Sequence, residues 1–458
     1  MSRLETFEPP RWMTRRLGIV MACVGALVAY GAMAPRYPAV ALGVALIVLI
    51  IGFTLLEPAT IPLLSMPLLV IMLRVGTDTV NLTVSDLALF AAFWAAMALG
   101  PRPYSRPMQT MLWLAGAYQV ATLFTVLANP YRANTVEWFH AWLLVGGALV
   151  VGWFVGRSGH ARLGLALLVV PCLALALLTC VQGAIQLAAG STGPVYLSWP
   201  YGMHKNFIGC ILAVAALVIY VNPPWLAWPR AFVMPAFALT VLGILASQSR
   251  QALVGLAVAI AFVFLRADRH KRRSRIVFLS IFPAIWYAIS AVHTQLASGD
   301  QFNSAYQRLS WYQDSLIVWA RNEWFGAGLR WWTSGRAEFA FQPPNAEMEV
   351  LSSAGVIGLL GFLVLMIGAL VVLWRLNPRY GTLALAIVGM RLVQGQLDLF
   401  WVAVQVSVPF TIAGLCLGAA AAEAGGKRTA GRRNRSFPVP EDTGDSAVLT
   451  SVGSVLTE

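Results

Sequence analysis

Long apolar windows recur along almost the whole chain, and they constrain its fold more than any other feature. They run from Leu17 to Ala422, and the intervals between them are too short to hold a soluble domain. A helix needs about 20 apolar residues to cross the hydrocarbon core of a bilayer. Hydrophobic residues make up 59% of the chain and charged residues 11%, a composition outside the range of soluble globular proteins. The sequence therefore predicts an all-α polytopic membrane protein.

The apolar windows predict roughly 12 to 14 transmembrane helices. Their approximate spans are 17–34, 38–56, 61–73, 83–99, 108–128, 137–156, 163–189, 206–221, 231–247, 251–265, 276–292, 350–374, 380–397 and 399–421. Two of these windows are weak, because 61–73 is short and 380–397 carries Arg391 and two glutamines. We interpret the first window as a retained helix rather than a cleaved secretory signal, since it is too long and follows a polar segment.

Lysine and arginine gather in alternate loops, and this pattern sets the orientation of a membrane protein. With the N-terminus inside, the most basic loop, 266–275, and the basic stretch 427–435 also fall inside. We therefore predict a multi-pass protein of the bacterial inner membrane with both termini in the cytoplasm. The formal charge of +13 is explained mostly by this topology, and we expect no nucleic-acid partner.

Composition divides the chain into three parts. Residues 1–16 are predicted to form a cytoplasmic N-terminus, and residues 17–422 a transmembrane domain. From about residue 423 the sequence has little to bury, so 423–458 is predicted to be a disordered cytoplasmic tail. The five cysteines all lie in apolar spans without metal-ligand spacing, and we interpret them as packing residues.

One predicted extracytoplasmic loop is long. It covers residues 294–348, and we call it the outer loop. Its stretch from Tyr306 to Trp319 predicts an amphipathic helix on the membrane surface, where Trp and Tyr also serve as plain interfacial anchors. Four arginines in the loop lie on the extracytoplasmic side of the membrane, where arginine is normally rare. Their presence there indicates an anionic ligand. They are Arg308, Arg321, Arg330 and Arg336.

Three further basic residues stand at the predicted outer ends of helices: Lys205, Arg250 and Arg391. An ionisable residue at the edge of a span usually faces a cavity, a partner or a substrate. Snorkelling of the side chain is the alternative for Arg250, and an ion pair with Asp398 is the alternative for Arg391. The paired N–H donors of a guanidinium group are spaced to bind two oxygens of a phosphate, so a phosphate-bearing lipid is the candidate ligand.

The stretch 341–361, FQPPNAEMEVLSSAGVIGLLG, joins the long loop to an apolar helix. Asn345 is placed to cap that helix, and the two prolines before it prevent the helix from extending backward. Gly355 and Gly358 are expected to let a neighbouring helix approach closely. The stretch also brings Asn345 and two carboxylates, Glu347 and Glu349, beside the arginine-rich loop, which suits an active site.

An ordered series of motifs resembles the O-antigen ligase and Wzy polymerase superfamily of membrane glycosyltransferases. The series comprises Gly202-Met-His-Lys-Asn206, Ser247-Gln-Ser-Arg250, Arg308 to Trp319, Gly326-Ala-Gly328, and Asn345 with Gly355 and Gly358. Order, predicted topology and spacing agree over residues 200–375, whereas the N-terminal half matches only as apolar helices.

Two positions depart from the family pattern. The family typically has a His immediately before the Asn, and Pro344 stands there. Val254 stands where the family has a Leu four residues after its Arg. The candidates for replacing the missing His are His204, His293, Glu347 and Glu349.

The resemblance implies transfer of a glycan from a polyprenyl-diphosphate carrier to a sugar acceptor outside the inner membrane, in cell-surface polysaccharide biosynthesis. Fixed cations would stabilise the leaving diphosphate, and a base would receive the acceptor proton. The expected diphosphate-binding residues are Arg250 and Arg308, assisted by Lys205 and Arg330. The expected catalytic residues on the acceptor side are Asn345, Glu347 and Glu349. The outer loop holds no Asp-x-Asp run, and we expect neither a metal nor another cofactor.

Two other functions stay open. A transporter or flippase of a lipid-linked or anionic solute would share the many helices, although the halves of the chain show no repeat. A catalytically inactive relative is the second, and Pro344 favours it. For a transferase, the expected partners are the lipid-linked glycan donor, a glycan or lipid-anchored acceptor, and membrane lipids. The sequence does not choose between a ligase and a polymerase.

Overall fold

The chain folds into a bundle of α-helices. The computed structural model describes residues 35–75, 82–266, 304–339 and 341–435, with Met21, Gly25, Tyr30, Gly31, Trp286 and Ser290 as isolated positions. Those residues form thirteen helices: α1 Pro38–Leu56, α2 Thr60–Leu68, α3 Val84–Leu99, α4 Arg106–Ala128, α5 Arg132–Arg157, α6 Ala161–Ala188, α7 Lys205–Val221, α8 Arg230–Ser247, α9 Arg250–Leu265, α10 Ser304–Arg321, α11 Ala346–Arg375, α12 Pro378–Gly395 and α13 Ala403–Arg435.

Six of these helices are long and apolar enough to cross a membrane. They are α4, α5, α6, α8, α11 and the part of α13 over Ala403–Gly425. Four more described helices, α1, α3, α7 and α9, are apolar but shorter. The prediction of an all-α polytopic membrane protein is confirmed. The predicted helices at 17–34 and 276–292 and the segment 1–16 lie almost wholly outside the described residues.

Two helix ends differ from the predicted ones. The window 61–73 is helical only as far as Leu68, after which a turn at 69–70 leads out of the helix. Arg74 pairs there with Thr83 in an isolated bridge. At the other end of the chain, α13 continues to Arg435, past the predicted start of the tail at residue 423.

Helices α5 and α13 pack backbone against backbone. Gly152 and Gly156 of α5 lie against backbone atoms of α13, and Gly414 and Gly418 of α13 lie against backbone atoms of α5. A Cβ atom at any of the four positions would overlap the partner helix. The small-x-x-x-small spacing on both helices is the pattern that lets membrane helices associate closely.

The connections between helices gather at two ends of the bundle. At one end, Arg266 donates to the carbonyl of Leu373 at 2.9 Å, near the end of α11. At the other end, Asn129, which follows α4, donates to the carbonyl of Gly326 at 3.0 Å. The second end also holds the residues that begin α7, α9 and α11, and we call it the site end.

Helix α11 is interrupted at Gly355, whose backbone adopts φ 68° and ψ −169°. The backbone groups freed by this break bind the loop that follows α10. The N–H of Val356 donates to the carbonyl of Glu323 at 2.9 Å, and the N–H of Ala327 donates to the carbonyl of Ser352 at 3.0 Å. Because each freed group finds a partner, the break is a stable part of the fold.

The glycines around this break explain why a loop fits there. A side chain at Gly355 or Gly326 would overlap the backbone of the other segment. The expectation that Gly355 admits a neighbouring helix is therefore wrong, since its close neighbour is a loop. A helix does approach one turn beyond Gly358, at Gly361, where an added Cβ would lie 2.6 Å from the Cβ of Ala121 in α4.

Candidate functional site

The loop between α12 and α13 is the centre of the polar contacts at the site end. It comprises residues 396–402, Gln-Leu-Asp-Leu-Phe-Trp-Val, and we call it the bridging loop. Its hydrogen bonds reach the first turns of α7, α9 and α11. The sequence predicted only a short turn between two spans here. Its contacts bring together residues that are far apart in the chain.

Asn345 and Glu347 meet the bridging loop at Gln396. Asn345 caps α11 as predicted, because its Oδ1 accepts from the N–H of Met348 at 3.0 Å. Its Nδ2 donates to Gln396 Oε1 at 3.2 Å, and Gln396 Nε2 donates to Glu347 Oε1 at 2.8 Å. The other oxygen of Glu347, Oε2, is buried and accepts no hydrogen bond within the described part of the chain. A buried oxygen of this kind is an open acceptor for a hydroxyl donor.

The charges of Arg308 and Glu347 both act on one tyrosine, Tyr312 of α10. Burial raises the pKa of Tyr312, while the Arg308 guanidinium lowers this pKa and the Glu347 carboxylate raises it further. Both charges must lie near the phenol for these effects to act. The helix predicted at Tyr306–Trp319 is present as α10, while its place on a membrane surface stays a prediction.

Lys205 and Arg250 begin α7 and α9, and their charges lie close enough to repel each other. The residues that follow them are tied to the bridging loop. Asn206 Nδ2 and Gln251 Nε2 both donate to Asp398 Oδ2, at 3.3 and 2.6 Å. Two cations at two neighbouring helix N-termini form a place that attracts anions.

Glu349 has different surroundings from Glu347, although the two are one residue apart. Its side chain is buried, with 4% of the residue surface exposed. Gln342 Nε2 donates to one of its oxygens at 2.7 Å, and the N–H of Phe400 donates to the other at 2.9 Å. Both oxygens of Glu349 are thus engaged in holding the outer loop and the bridging loop on α11.

Glu349 also faces a small cavity of about 60 Å³ at the site end. The opposite wall of this cavity carries Glu137 of α5 and Arg330 of the outer loop. Tyr118 of α4 and Trp401 of the bridging loop complete its aromatic side, with their rings stacked at 5.2 Å. The lining of the cavity therefore includes two carboxylates and one guanidinium.

A chain of charged groups leads from this cavity into the bundle. Arg330 Nε lies 2.8 Å from Glu137 Oε2, so the two groups form a close ion pair. The N–H of Arg330 Nε is not directed at this oxygen, and the pair therefore makes no hydrogen bond there. Glu137 Oε1 lies 3.3 Å from His140 Nδ1, and His140 Nε2 lies 3.1 Å from Asp86 Oδ1. Asp86 in turn accepts from the N–H of Thr83 at 2.8 Å in the capping box of α3.

Sequence reasoning missed this chain of charges, because it treated the N-terminal half as apolar helices alone. A signal was present in the sequence. Glu137 and His140 stand three residues apart in an otherwise apolar span, a spacing that puts both on one helix face. Ionisable residues inside a membrane span usually have a partner or a function.

Arg391, predicted at or near the outer face, lies next to the bridging loop at the site end, but its side chain points into the protein. It is fully buried, with 0% of its surface exposed, because it supports the bridging loop from within the bundle. Its Nη1 donates to Gln405 Oε1 at 2.7 Å, and its Nη2 donates to the carbonyls of Leu399, at 2.6 Å, and Phe400. Asp398, the alternative partner, is not among these direct contacts in the described part of the chain, although its charge acts on the guanidinium.

Two of the candidates for replacing the missing His are themselves histidines, His204 and His293. His204 caps α7, since its Nδ1 accepts from the N–H of Asn206 at 3.3 Å. Burial lowers the pKa of His204, and Lys205 lowers it too, against the opposing effect of Asp398. A neutral ring agrees with Nδ1 acting as an acceptor. His293 lies outside the described residues.

The predicted site residues fall into two adjoining groups. In the first group, Lys205 and Arg250 precede the two residues that donate to Asp398, and Asn345 and Glu347 meet at Gln396 of the same bridging loop. Arg308 is connected to this group through Tyr312, on which the charges of Arg308 and Glu347 both act. In the second group, Arg330 and Glu349 face the 60 Å³ cavity.

Comparison with known proteins bears on this arrangement. Residues 235–363 match a family model described as O-antigen ligase. The match covers α8, α9, α10 and the first part of α11, with six of the predicted site residues: Arg250, Arg308, Arg330, Asn345, Glu347 and Glu349. The resemblance to this family is confirmed for that segment. No curated protein matches the chain.

Proposed function

We propose that this chain, which resembles the O-antigen ligase family over residues 235–363, is a membrane glycosyltransferase. It transfers a glycan from a polyprenyl-diphosphate carrier to a sugar acceptor at the outer face of the bacterial inner membrane. One observation carries the proposal: the bridging loop joins two helix N-termini that carry the cations Lys205 and Arg250 to a carboxylate, Glu347, that has an oxygen without a donor in the described part of the chain.

The cationic group serves the leaving diphosphate. As the bond between the anomeric carbon and the diphosphate oxygen breaks, its electron pair stays on that oxygen and negative charge grows there. Arg250 and Lys205, at two helix N-termini, and Arg308 of α10 stabilise this charge in fixed positions. Fixed donors need no reorganisation during the reaction, which is why they lower the barrier.

Glu347 is the better candidate for the base, although the sequence did not separate it from Glu349. Its Oε2 has no donor among the described residues, whereas both oxygens of Glu349 are occupied. In the proposed step the acceptor hydroxyl oxygen attacks the anomeric carbon and its proton passes to Glu347 Oε2. Asn345 holds Glu347 in place through Gln396.

Arg330 has a supporting place in this scheme. Its charge is already balanced by Glu137, so it has less to offer to a diphosphate than Arg250 or Arg308. We assign Arg330 and Glu349 to the walls of the small cavity, where they position the outer loop next to Glu347.

An inactive relative is the second candidate function, and Pro344 is the observation that favours it. If no carboxylate substitutes for the family His, the chain keeps the fold without turnover. The two candidates differ in the activity of purified protein, because a transferase forms product in detergent without a sealed membrane.

The test supplies the purified chain in detergent with a polyprenyl-diphosphate-linked oligosaccharide and a lipid-anchored or polymeric sugar acceptor. The proposal predicts a longer glycan product and release of the polyprenyl diphosphate. Absence of product with both acceptor classes would overturn it. Deletion of the gene then separates ligase from polymerase: free polymer accumulates without a ligase, and single repeat units accumulate without a polymerase.

A further inference from the structure

A second cavity opens at the site end, between the α4–α5 turn and the loop that follows α10. It measures about 380 Å³, which is within the range of small-molecule sites. We call it the outer pocket. Its polar and aromatic lining includes Tyr131, Arg321, Asn322, Trp331, Arg336 and Glu338.

The walls of the outer pocket are fixed by hydrogen bonds across the chain. Asn129 donates to the carbonyl of Gly326 at 3.0 Å, and Asn134 Oδ1 accepts from the N–H of Leu329 at 2.8 Å. Gly328 lies so close to the Tyr131 hydroxyl that no side chain fits at that position. The pocket is therefore largely formed before a ligand arrives, which lowers the entropic cost of binding.

The charges in the outer pocket leave one guanidinium in excess. Arg321 and Glu338 form a bidentate pair, with N–O distances of 2.8 and 3.0 Å. The guanidinium carbon of Arg336 lies 4.3 Å from the centre of the Tyr131 ring. Stacking of this kind leaves the edge of a guanidinium able to donate to a carboxylate. Burial raises the pKa of Tyr131 to about 12, so the phenol under Arg336 stays neutral.

The remaining groups suit a sugar ring. The Asn322 amide and the Trp331 indole N–H have no hydrogen-bond partner in the described part of the chain, and each can bind a hydroxyl. Indole and phenol rings offer flat apolar faces to the C–H face of a sugar. A phosphate would be served better by several unpaired cations. In the described part of the chain only the Arg336 guanidinium of the outer pocket lacks a carboxylate partner, and one guanidinium between polar side chains matches a single carboxylate.

We propose that the outer pocket binds an acidic sugar residue, a hexuronate, of the acceptor glycan. The role of this sugar as part of the acceptor rests on the proposed function, whereas its binding in the outer pocket does not. Trp331 follows Arg330, whose side chain reaches Glu137 in the small cavity. A glycan held in the outer pocket is thereby anchored beside the site where its next hydroxyl would react.

The test measures binding of trigalacturonic acid to the purified full-length chain in detergent, by isothermal titration, without any lipid-linked donor. The neutral galactose trisaccharide is the comparison ligand. We expect the acidic probe to bind at least about tenfold more tightly than the neutral one, equivalent to 1.4 kcal/mol. Equal affinity for the two probes, or binding of neither, would overturn the proposal.

Two substitutions of exposed residues act in opposite directions. Arg336→Gln removes the free guanidinium, so the affinity for trigalacturonic acid should fall about tenfold or more. Glu338→Gln releases Arg321 from its pair, so the affinity should rise. Arg132→Gln, an exposed position next to Tyr131 but outside the lining, is the matched control and should bind as the wild type does. Unchanged affinity in both Arg336→Gln and Glu338→Gln would contradict the assignment.

The design separates this proposal from the proposed function. Arg250→Ala should lose transfer while still binding trigalacturonic acid, because Arg250 is not part of the outer pocket. Full transfer by Arg250→Ala would count against the diphosphate assignment alone. Loss of saccharide binding in Arg250→Ala, with its melting temperature unchanged, would count against an independent outer pocket.

Discussion

At the residue scale, Glu347 and Glu349 carry the same carboxylate group but differ in the hydrogen bonds that this group accepts. Both oxygens of Glu349 accept hydrogen bonds, from Gln342 and from the N–H of Phe400. Glu347 Oε2 accepts none in the described part of the chain. We predict that Glu347→Gln lowers the rate of glycan transfer by about 10²- to 10⁴-fold, the range for loss of a general base. Binding of the lipid-linked donor should stay unchanged, and turnover and donor affinity of purified protein measure the two effects.

The matched control for this prediction is Glu349→Gln. It keeps an acceptor oxygen for the N–H of Phe400 but puts an amide group where Gln342 donates. Its main effect should be a lower melting temperature, with a smaller loss of rate than Glu347→Gln. A larger loss of rate in Glu349→Gln than in Glu347→Gln would reverse the assignment.

The charged chain through His140 gives a second prediction at this scale. His140→Ala leaves Glu137 and Asp86 without their shared partner inside the bundle. Removing one partner of a buried ion pair costs about 3–5 kcal/mol. The free energy of unfolding in detergent should fall by that order, and replacing Asp86 with Asn in the same chain should restore part of it. Undiminished stability of His140→Ala would mean that the chain of charges is not stabilising.

Local rules explain which site residues the sequence predicted. The capping role of Asn345 follows from its position after two prolines and before a helix, so it needs no tertiary information. The pair between Arg330 and Glu137 joins segments far apart in the chain, and no local pattern encodes it. The full burial of Arg391 was missed for the same reason, because its partners lie on the bridging loop and α13.

At the scale of elements, the contact between α5 and α13 depends on glycine. Gly152→Leu would force a side chain into the backbone of α13, and overpacking of this kind costs about 1–3 kcal/mol or more. We predict a lower yield of folded protein and a lower melting temperature. Gly116→Leu in α4 is the control, since an added Cβ there meets no atom within 4 Å, and it should leave both quantities unchanged. Equal behaviour of the two variants would argue against tight packing of α5 on α13.

The break in α11 marks the limit of sequence prediction for elements. The length of the apolar windows predicted most helices, because a span of this length leaves few other structures possible in a membrane. It also predicted one continuous helix through Gly355, where the structure inserts the loop after α10. Glycine permits both close packing and a positive φ, so the residue type alone did not decide between them.

At the scale of the whole molecule, the predicted orientation can be tested at the two ends of α6. Ser158 precedes this helix and is predicted inside, and Ser191 follows it and is predicted outside. In spheroplasts, a membrane-impermeant thiol reagent should label Ser191→Cys but not Ser158→Cys. Both variants should react after lysis, and the wild type sets the background. Labelling of Ser158→Cys alone in intact spheroplasts would invert the topology.

The central claim is that the cations around the bridging loop stabilise the leaving diphosphate. Its most direct test is the rate at which purified Arg250→Ala protein turns over a polyprenyl-diphosphate-linked glycan in detergent, beside Arg132→Ala as a control. We predict a loss of about 10²- to 10³-fold for Arg250→Ala, comparable to removal of one donor from an oxyanion site. The control should keep the wild-type rate. Turnover of Arg250→Ala at the wild-type rate would contradict the account.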